Sequence, residues 1–394
     1  MKAIINGKLV LPEGIVEGHD LIIEGSRIKD IVKTETREAL GLDLRIIDAR
    51  GGYVSAGFID IHADYIEHIA APRPSSLMDF KLALREAERE LLTHGVTTMY
   101  HSLSLYKIKQ TDDKPIRRKE NVSRFIDLIA GTHHKKHLIR HRFHARFEID
   151  NVDSVEELVS YIEAGQVDLL SFMDHTPGQG QFWDLEGYKK MTRQYGLKMS
   201  DEELDAHIEK RLKTPKLSPR DCQRIAGYAR EKGIAIASHD DDSIEKLHRI
   251  KAIGATISEF PITLEVAKKA KEMNLHTVAG APNVLLGGSH SGNLSAHEAV
   301  AAGVVDILCS DYYPAAILHA VFKLHRDYGH DLSDMFKLVT LNPARAVHVD
   351  QDLGSIERGK LADLNIIEMI DGDFPVITTC LVDGEEVFHT HYRV

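Results

Sequence analysis

The chain has 394 residues, 43% of them hydrophobic and 28% charged, with a formal net charge of −11. That length exceeds one small domain and suits a barrel of ~250 residues plus a smaller accessory unit. The composition is ordinary for a water-soluble globular protein, the negative charge argues against general nucleic-acid binding, and no apolar run approaches the ~18 residues that span a bilayer.

Residues 1–56 read as short strands and turns: Ala3–Ile5, the hairpin signal Asn6-Gly7, Lys8–Leu11, Asp20–Glu24, Gly25-Ser26 and Arg27–Val32. The opening Met1–Gly7 reaches a polar turn too soon for a signal peptide. Cys222, Cys309 and Cys380 are far apart and odd in number, so no disulfide framework is implied and the chain reads as cytoplasmic.

From residue 57 to 347 the pattern changes. Apolar runs alternate with helix-like stretches at Gly57–His62, Val96–His101, Arg142–Ile149, Asp168–Met173, Ile234–Ser238, Thr256–Phe260, His276–Ala279 and Asp306–Ser310. Eight such runs predict an α/β fold built as a closed (β/α)8 barrel, a TIM-type architecture. Counting runs does not separate this from an open doubly wound sheet. A polar, helix-rich connection from Asp174 to Gly233, containing Trp183-Asp184 and Leu204–Leu212, either covers the barrel mouth or packs outside it. Residues 348–394 return to strands at Ala362–Ile367 and Thr378–Val387, broken by Asp383-Gly384.

Metal-capable side chains follow the strand-like runs. The first run ends in His62 and Asp64, spaced so that a strand would turn both to one side. Glu148 ends the third run, His175 follows the fourth in Asp174-His175-Thr176-Pro177-Gly178, His239 follows the fifth beside Asp240 and Asp241, and Asp311 follows the eighth. A closed barrel gathers all these ends on one face, where barrel active sites lie. His62, Asp64, Glu148, His175, His239 and Asp311 supply enough N and O donors for two divalent ions, with Glu148 as the candidate bridge. Asp240 and Asp241 are placed behind these ligands, orienting them. Zinc is the first choice of metal, and manganese, iron and nickel accept the same donors. Such ions activate water for hydrolysis, and Asp311 is the candidate general base. His133, His134, His137 and His141 lack a strand-end context and receive no role.

Two features suggest an anionic substrate. The stretch Gly280–Asn293 follows the seventh run and is rich in glycine, so its backbone can approach phosphate; Asn283, Gly287, Gly288, Ser289 and His290 are the candidate contacts. It lacks the Lys-Ser/Thr of a P-loop. Arg73, held between Pro72 and Pro74, is a candidate phosphate clamp. The segment Lys107–Arg146 carries twelve Lys/Arg against four Asp/Glu, with five His, which is either a solvated face or a field for a polyanion.

These residues resemble the amidohydrolase superfamily. The ending Asn342-Pro343-Ala344-Arg345-Ala346, then Gly354-Ser355-Ile356-Glu357-Arg358-Gly359-Lys360-Leu361-Ala362-Asp363-Leu364, is very like its usual C-terminus. The resemblance implies that residues 57–347 form a metal-dependent barrel and that residues 1–56 and 348–394 together form a small β-sandwich. Within the superfamily, His62-x-Asp64 with Glu67 and Pro72-Arg73-Pro74, Phe172–Gln179, Ser238-His239-Asp240-Asp241, Gly280–Asn283, Gly287–Asn293 and Ser310–Pro314 resemble the phosphonate-metabolism protein M family. That family implies a diphosphatase acting on α-D-ribose 1-methylphosphonate 5-triphosphate. A metal-dependent hydrolase of C–N bonds (deaminase, cyclic amidase or deacetylase) is the alternative, and a catalytically dead barrel a third reading. The expected partner is a small phosphorylated molecule, with neither nucleic acid nor membrane; homo-oligomerisation stays open.

Overall fold

A computed structural model describes residues 1–37, 43–73, 76–105, 115–180, 185–186, 188–189, 200–288 and 294–393. The N-terminal segment supplies strands β1 (Lys2–Ile5), β2 (Lys8–Leu11), β3 (Gly14–Val16), β4 (His19–Glu24), β5 (Arg27–Lys33), β6 (Arg45–Asp48) and β7 (Tyr53–Ala56). Eight further strands follow: β8 (Phe58–Ala63), β9 (Val96–Leu105), β10 (Arg140–Glu148), β11 (Leu169–Met173), β12 (Ala235–His239), β13 (Ile257–Glu259), β14 (His276–Gly280) and β15 (Ile307–Cys309). The chain finishes with β16 (Leu364–Ile370), β17 (Phe374–Val382) and β18 (Glu385–His389).

Strands β8 to β15 lie in sequence order in one parallel sheet. Its two edges meet: Ala63 bridges Asp311, the Asp311 N–H donates to the His62 carbonyl at 3.1 Å, and the Asp64 N–H donates to the Asp311 carbonyl at 3.0 Å. The sheet is therefore the (β/α)8 barrel expected from the eight apolar runs, each of which is a strand. Closure runs through the residues expected to carry chemistry.

Helices pack on the outer face by ordinary amphipathic logic. In the helix Phe80–Thr93, Asp79 caps the first turn by accepting from the Leu82 N–H, and Ala83, Leu84, Ala87, Leu91 and Leu92 bury one face. Each leucine so buried contributes roughly 1.5–3 kcal/mol. The barrel interior is filled below the mouth by Ile59, Ile61, Tyr100, Leu169, Ala235, Ala237, Ile257, Val278 and Ile307. It is a packed core with a polar layer above it.

The end segments build two more sheets. One has the order β5-β4-β1-β6; the other, β18-β17-β16-β7-β2-β3, draws on both chain ends. Ile4, Leu21, Ile23 and Ile28 of the first meet Leu9, Val54, Leu364, Ile366 and Leu381 of the second in one buried cluster. Arg140, at the start of β10, ties this unit to the barrel through Asp363 and Asp383. Asp363 is buried, and burial pushes its carboxyl up even with Arg140 beside it. Arg140→Ala would strand that carboxyl without its guanidinium. A loss of about 3–5 kcal/mol is expected, read as a lower denaturation midpoint with unchanged metal content.

The connection after β11 contains the helices Asp201–Leu212 and Pro219–Glu231, each started by a Ser–acid capping box. Trp183-Asp184 lies outside the described residues. The Asp201–Leu212 helix reaches the mouth, where Arg211 donates to the His175 carbonyl at 2.9 Å. Among the described residues, no helix is long and apolar enough to cross a membrane.

Candidate metal centre at the barrel mouth

Strand β8 does not alternate regularly. Its register against β9 shifts between Phe58 and Ile59 and again between Asp60 and Ala63. A bulge of this kind re-aims side chains. Ile61 packs in the interior cluster, while its neighbour His62 also meets interior rings, His144 at 5.3 Å and His239 at 5.2 Å between centroids. The strand ends at Ala63. Asp64 already stands at the start of the helix Tyr65–Ala70, so the simple same-side spacing expected for His62 and Asp64 does not describe them.

Strand β10 lifts three polar side chains through the mouth at alternate positions. Lowest is His144, fully buried, with Nδ1 3.0 Å from both the Ser102 hydroxyl and the Ile61 carbonyl and Nε2 2.8 Å from Ser171 Oγ. Arg146 follows, one amino group of its guanidinium donating to His239 Nε2 at 3.3 Å. Glu148 is uppermost and bonds His175 Nδ1. His62 Nδ1 lies 2.8 Å from Glu259 Oε1, the last residue of β13.

Two groups of donors result. His62, His144 and Glu259 form a deep one; His175, His239 and Asp240 form one nearer the rim. Within each, one ligand atom per residue lies within 4.8 Å of the others. His239 Nδ1 and Glu259 Oε2 are buried with no hydrogen-bond partner, although Asp240 Oδ2 is only 2.9 Å from that Nδ1. Orphaned donors and acceptors of this kind are costly, and imidazole with carboxylate is the donor set of zinc and its neighbours. The residues therefore fit divalent cations. Burial first, and the Arg146 charge second, hold the His62 and His239 imidazoles well below their usual range, hence neutral, the form that ligates metal. His175 differs. Burial pulls it down, but Glu148 outweighs this and raises it, while the same contact drives Glu148 below the usual carboxylate range despite its burial.

Asp311 sits opposite this ladder, on the other side of the barrel seam. Burial, then the nearby Asp64 carboxylate, push its pKa up to about 7. A bound cation would return it to the ionised form. Asp64 itself lies 3.6 Å from an Arg117 amino group, and the Arg117 Nε donates to both Glu67 oxygens. Asp241 is held behind the mouth, accepting from Ser238 and Ser258 hydroxyls at 2.5 Å each. Asp240, expected behind the ligands, stands within the rim group of candidate donors.

The phosphate candidates are placed unevenly. Asn283 enters the mouth: a Cβ on Gly280 would stand 3.7 Å from both Asn283 Nδ2 and Asp311 Oδ2, and Asn283 Oδ1 is buried without a partner. The expected loop from Gly280 is in part a helix, Ala281–Leu286. Gly287 ends that helix in the left-handed region, φ 77°, and the Gly288 N–H donates to the Asn283 carbonyl, so both glycines serve helix termination. Ser289 and His290 lie outside the described residues. Arg73 is exposed in a turn closed by the Ser76 N–H. Among the described residues it makes no ion pair.

Sequence reasoning missed His144, Glu259 and Arg146. A signal existed for two of them: His144-x-Arg146-x-Glu148 puts three polar side chains on one face of an otherwise apolar strand. His141, given no role, bonds His101 and Glu88 in the layer between sheet and helices.

Comparison with known proteins agrees with this architecture. A model of the amidohydrolase family matches residues 210–387. Over 366 residues the chain is 33% identical to the alpha-D-ribose 1-methylphosphonate 5-triphosphate diphosphatase of Escherichia coli (strain K12), covering 91% of this chain and 93% of that protein. The chain belongs to the amidohydrolase superfamily. Within it, an adenine deaminase of Clostridium botulinum (strain 657 / Type Ba4) is 22% identical across 98% of this chain and 56% of the deaminase. The crystal structure of N-acetylglucosamine-6-phosphate deacetylase from Pasteurella multocida superposes with a TM-score of 0.64 at 14% identity, covering 98% of this chain and 99% of that one. At that identity the likeness is one of fold.

Proposed function

We propose that this amidohydrolase is a metal-dependent diphosphatase that cleaves a ribose 5-triphosphate bearing a 1-phosphonate, with phosphonate catabolism as its setting. The supporting observation is the 33% identity to the diphosphatase over 91% of the chain, which is more than a shared barrel requires. Divalent ions, zinc first among them, held by His62, Glu148, His175, His239 and Asp240 with the deeper His144 and Glu259, would acidify water and polarise the phosphoryl group. The protein's own groups do the rest. Asp311 accepts the proton of the attacking water. The water oxygen bonds to the α-phosphorus, the α–β bridging oxygen leaves with pyrophosphate, and the 5-phosphate stays on the sugar. Glu148 fixes the His175 ring, Asp241 pins the end of the strand that carries His239, and Asn283 offers its amide beside Asp311.

A second reading, hydrolysis of a C–N bond, is supported by the adenine deaminase likeness, which also spans nearly the whole chain. One experiment separates the two. Metal-loaded protein is incubated with ribose 5-triphosphates and with a panel of heterocyclic amines and amides, and pyrophosphate and ammonia are assayed in parallel. Pyrophosphate release is the expected result. Ammonia without pyrophosphate would replace this proposal with the second.

A further inference from the structure

Arg146 is a half-buried cation that neither the metal ligands nor the base accounts for. Its guanidinium projects into the mouth from near the end of β10, between His144 below and Glu148 above. Among the described residues its one polar contact is to His239 Nε2 at 3.3 Å, a long bond to a neutral acceptor. Its Nε is buried and unpartnered. Among the described residues, no carboxylate comes within ion-pairing distance of it, although the mouth is rich in acids. Four of those acids are already engaged: Glu148 with His175, Glu259 with His62, Asp240 with His239, Asp64 with Arg117. A guanidinium carries five N–H donors in a rigid fork, and burying even one of them without an acceptor is costly. The fork's geometry matches the paired oxygens of a phosphoryl group.

Its position is central. The Arg146 charge acts at once on His62, His175, His239, Asp240 and Asp311. We infer that Arg146 is the substrate-anion clamp of this centre, binding two oxygens of the phosphoryl group that lies between the rim ligands and Asp311. The inference rests on the proposed reading of the substrate as a polyphosphate. It assigns the anion to a side chain of the barrel wall and gives the exposed Arg73 no part in it. Were His239 to hold a divalent ion, the guanidinium would lose its weak partner and be available to the entering oxyanion.

The test uses the full chain, metal-loaded, as wild type, Arg146→Gln and Arg146→Lys. Inorganic phosphate is titrated calorimetrically, metal content is measured by emission spectrometry, and circular dichroism checks the fold. Arg146→Gln should weaken phosphate about ten- to a hundredfold with metal content unchanged. Arg146→Lys, which keeps the charge and folds without a neutral group in the mouth, should lose less, and added guanidinium ion should restore part of the Gln variant's affinity. Equal phosphate affinity in wild type and Arg146→Gln would overturn the inference. So would extra metal uptake by Arg146→Gln at unchanged phosphate affinity, since Arg146 would then be only a stand-in cation. Turnover of ribose triphosphates by the wild type is scored separately. If the wild type releases pyrophosphate and the phosphate affinities match, only the clamp fails; if it releases none, the functional reading fails and the titration still decides the clamp.

Discussion

Asp311→Asn is expected to lower turnover by two to four orders of magnitude, about the range that a positioned general base contributes. The substitution is close to isosteric and suits the site's backbone. Asp311 sits in the left-handed region at φ 58°, where asparagine is tolerated and alanine is strained. Neither donor group at the mouth depends on it, so metal content should hold. Its carboxyl is pushed up to about 7 chiefly by burial, which means that the folded protein disfavours its charge. The neutral amide should therefore melt at or above the wild-type temperature. Loss of turnover at full metal content and full stability would mark a group kept for chemistry at a cost to folding. Retained turnover would remove Asp311 from the role of base.

How much of this was legible in the sequence follows from what each residue needed in order to be recognised. The barrel strands were readable because parallel strands are buried on both faces and form apolar runs. β3, β6 and β7 were not: β3 is three residues long, and β6 exposes three of its four residues, so neither a run nor an alternation survives. His62, His175, His239 and Asp311 stood out because each lies at or just beyond the end of a strand. Glu259 could not be found that way. It ends a three-residue strand, and its importance comes from His62, 197 positions away in the chain. In sequence Asp240 reads as standing behind the ligands, yet its left-handed backbone, φ 52°, turns it onto His239 and towards His175. A local pattern carries no sign of that turn. The glycines of 287–288 show the reverse case, since a composition suited to phosphate binding also suits the end of a short helix.

The basic surplus between Lys107 and Arg146 likewise changes meaning once folded. Arg117 is taken up by Glu67, Arg140 by Asp363 and Arg142 by Asp168 at 2.9 Å. Part of the apparent field is spent in ion pairs that hold the barrel wall, and among the described residues of the segment Arg146 enters the mouth without an acid partner. Sequence charge counts report quantity, whereas recognition depends on which cation is left without an acid.

His239→Asn should have the other large effect, on metal and turnover together. The imidazole is the common neighbour of the centre: its ring lies 5.2 Å from His62 and 5.8 Å from His175, and Asp240 and Arg146 meet its two nitrogens. Asparagine keeps a polar side chain but is too short to reach the same point. Arg146 would then be free to approach Asp240, placing a fixed cation among the donors intended for a metal. Loss of a ligand should weaken binding by more than the roughly 10–100-fold seen when only a ligand's supporting partner is removed. The variant should therefore leave a desalting column with less than the wild-type metal content, and turnover should fall in proportion to the metal lost. Added metal should restore activity only at high concentration, which separates a weakened site from a misfolded protein. Full metal retention after desalting would show that the rim group does not hold the catalytic ion, and would move the centre down to His62, His144 and Glu259.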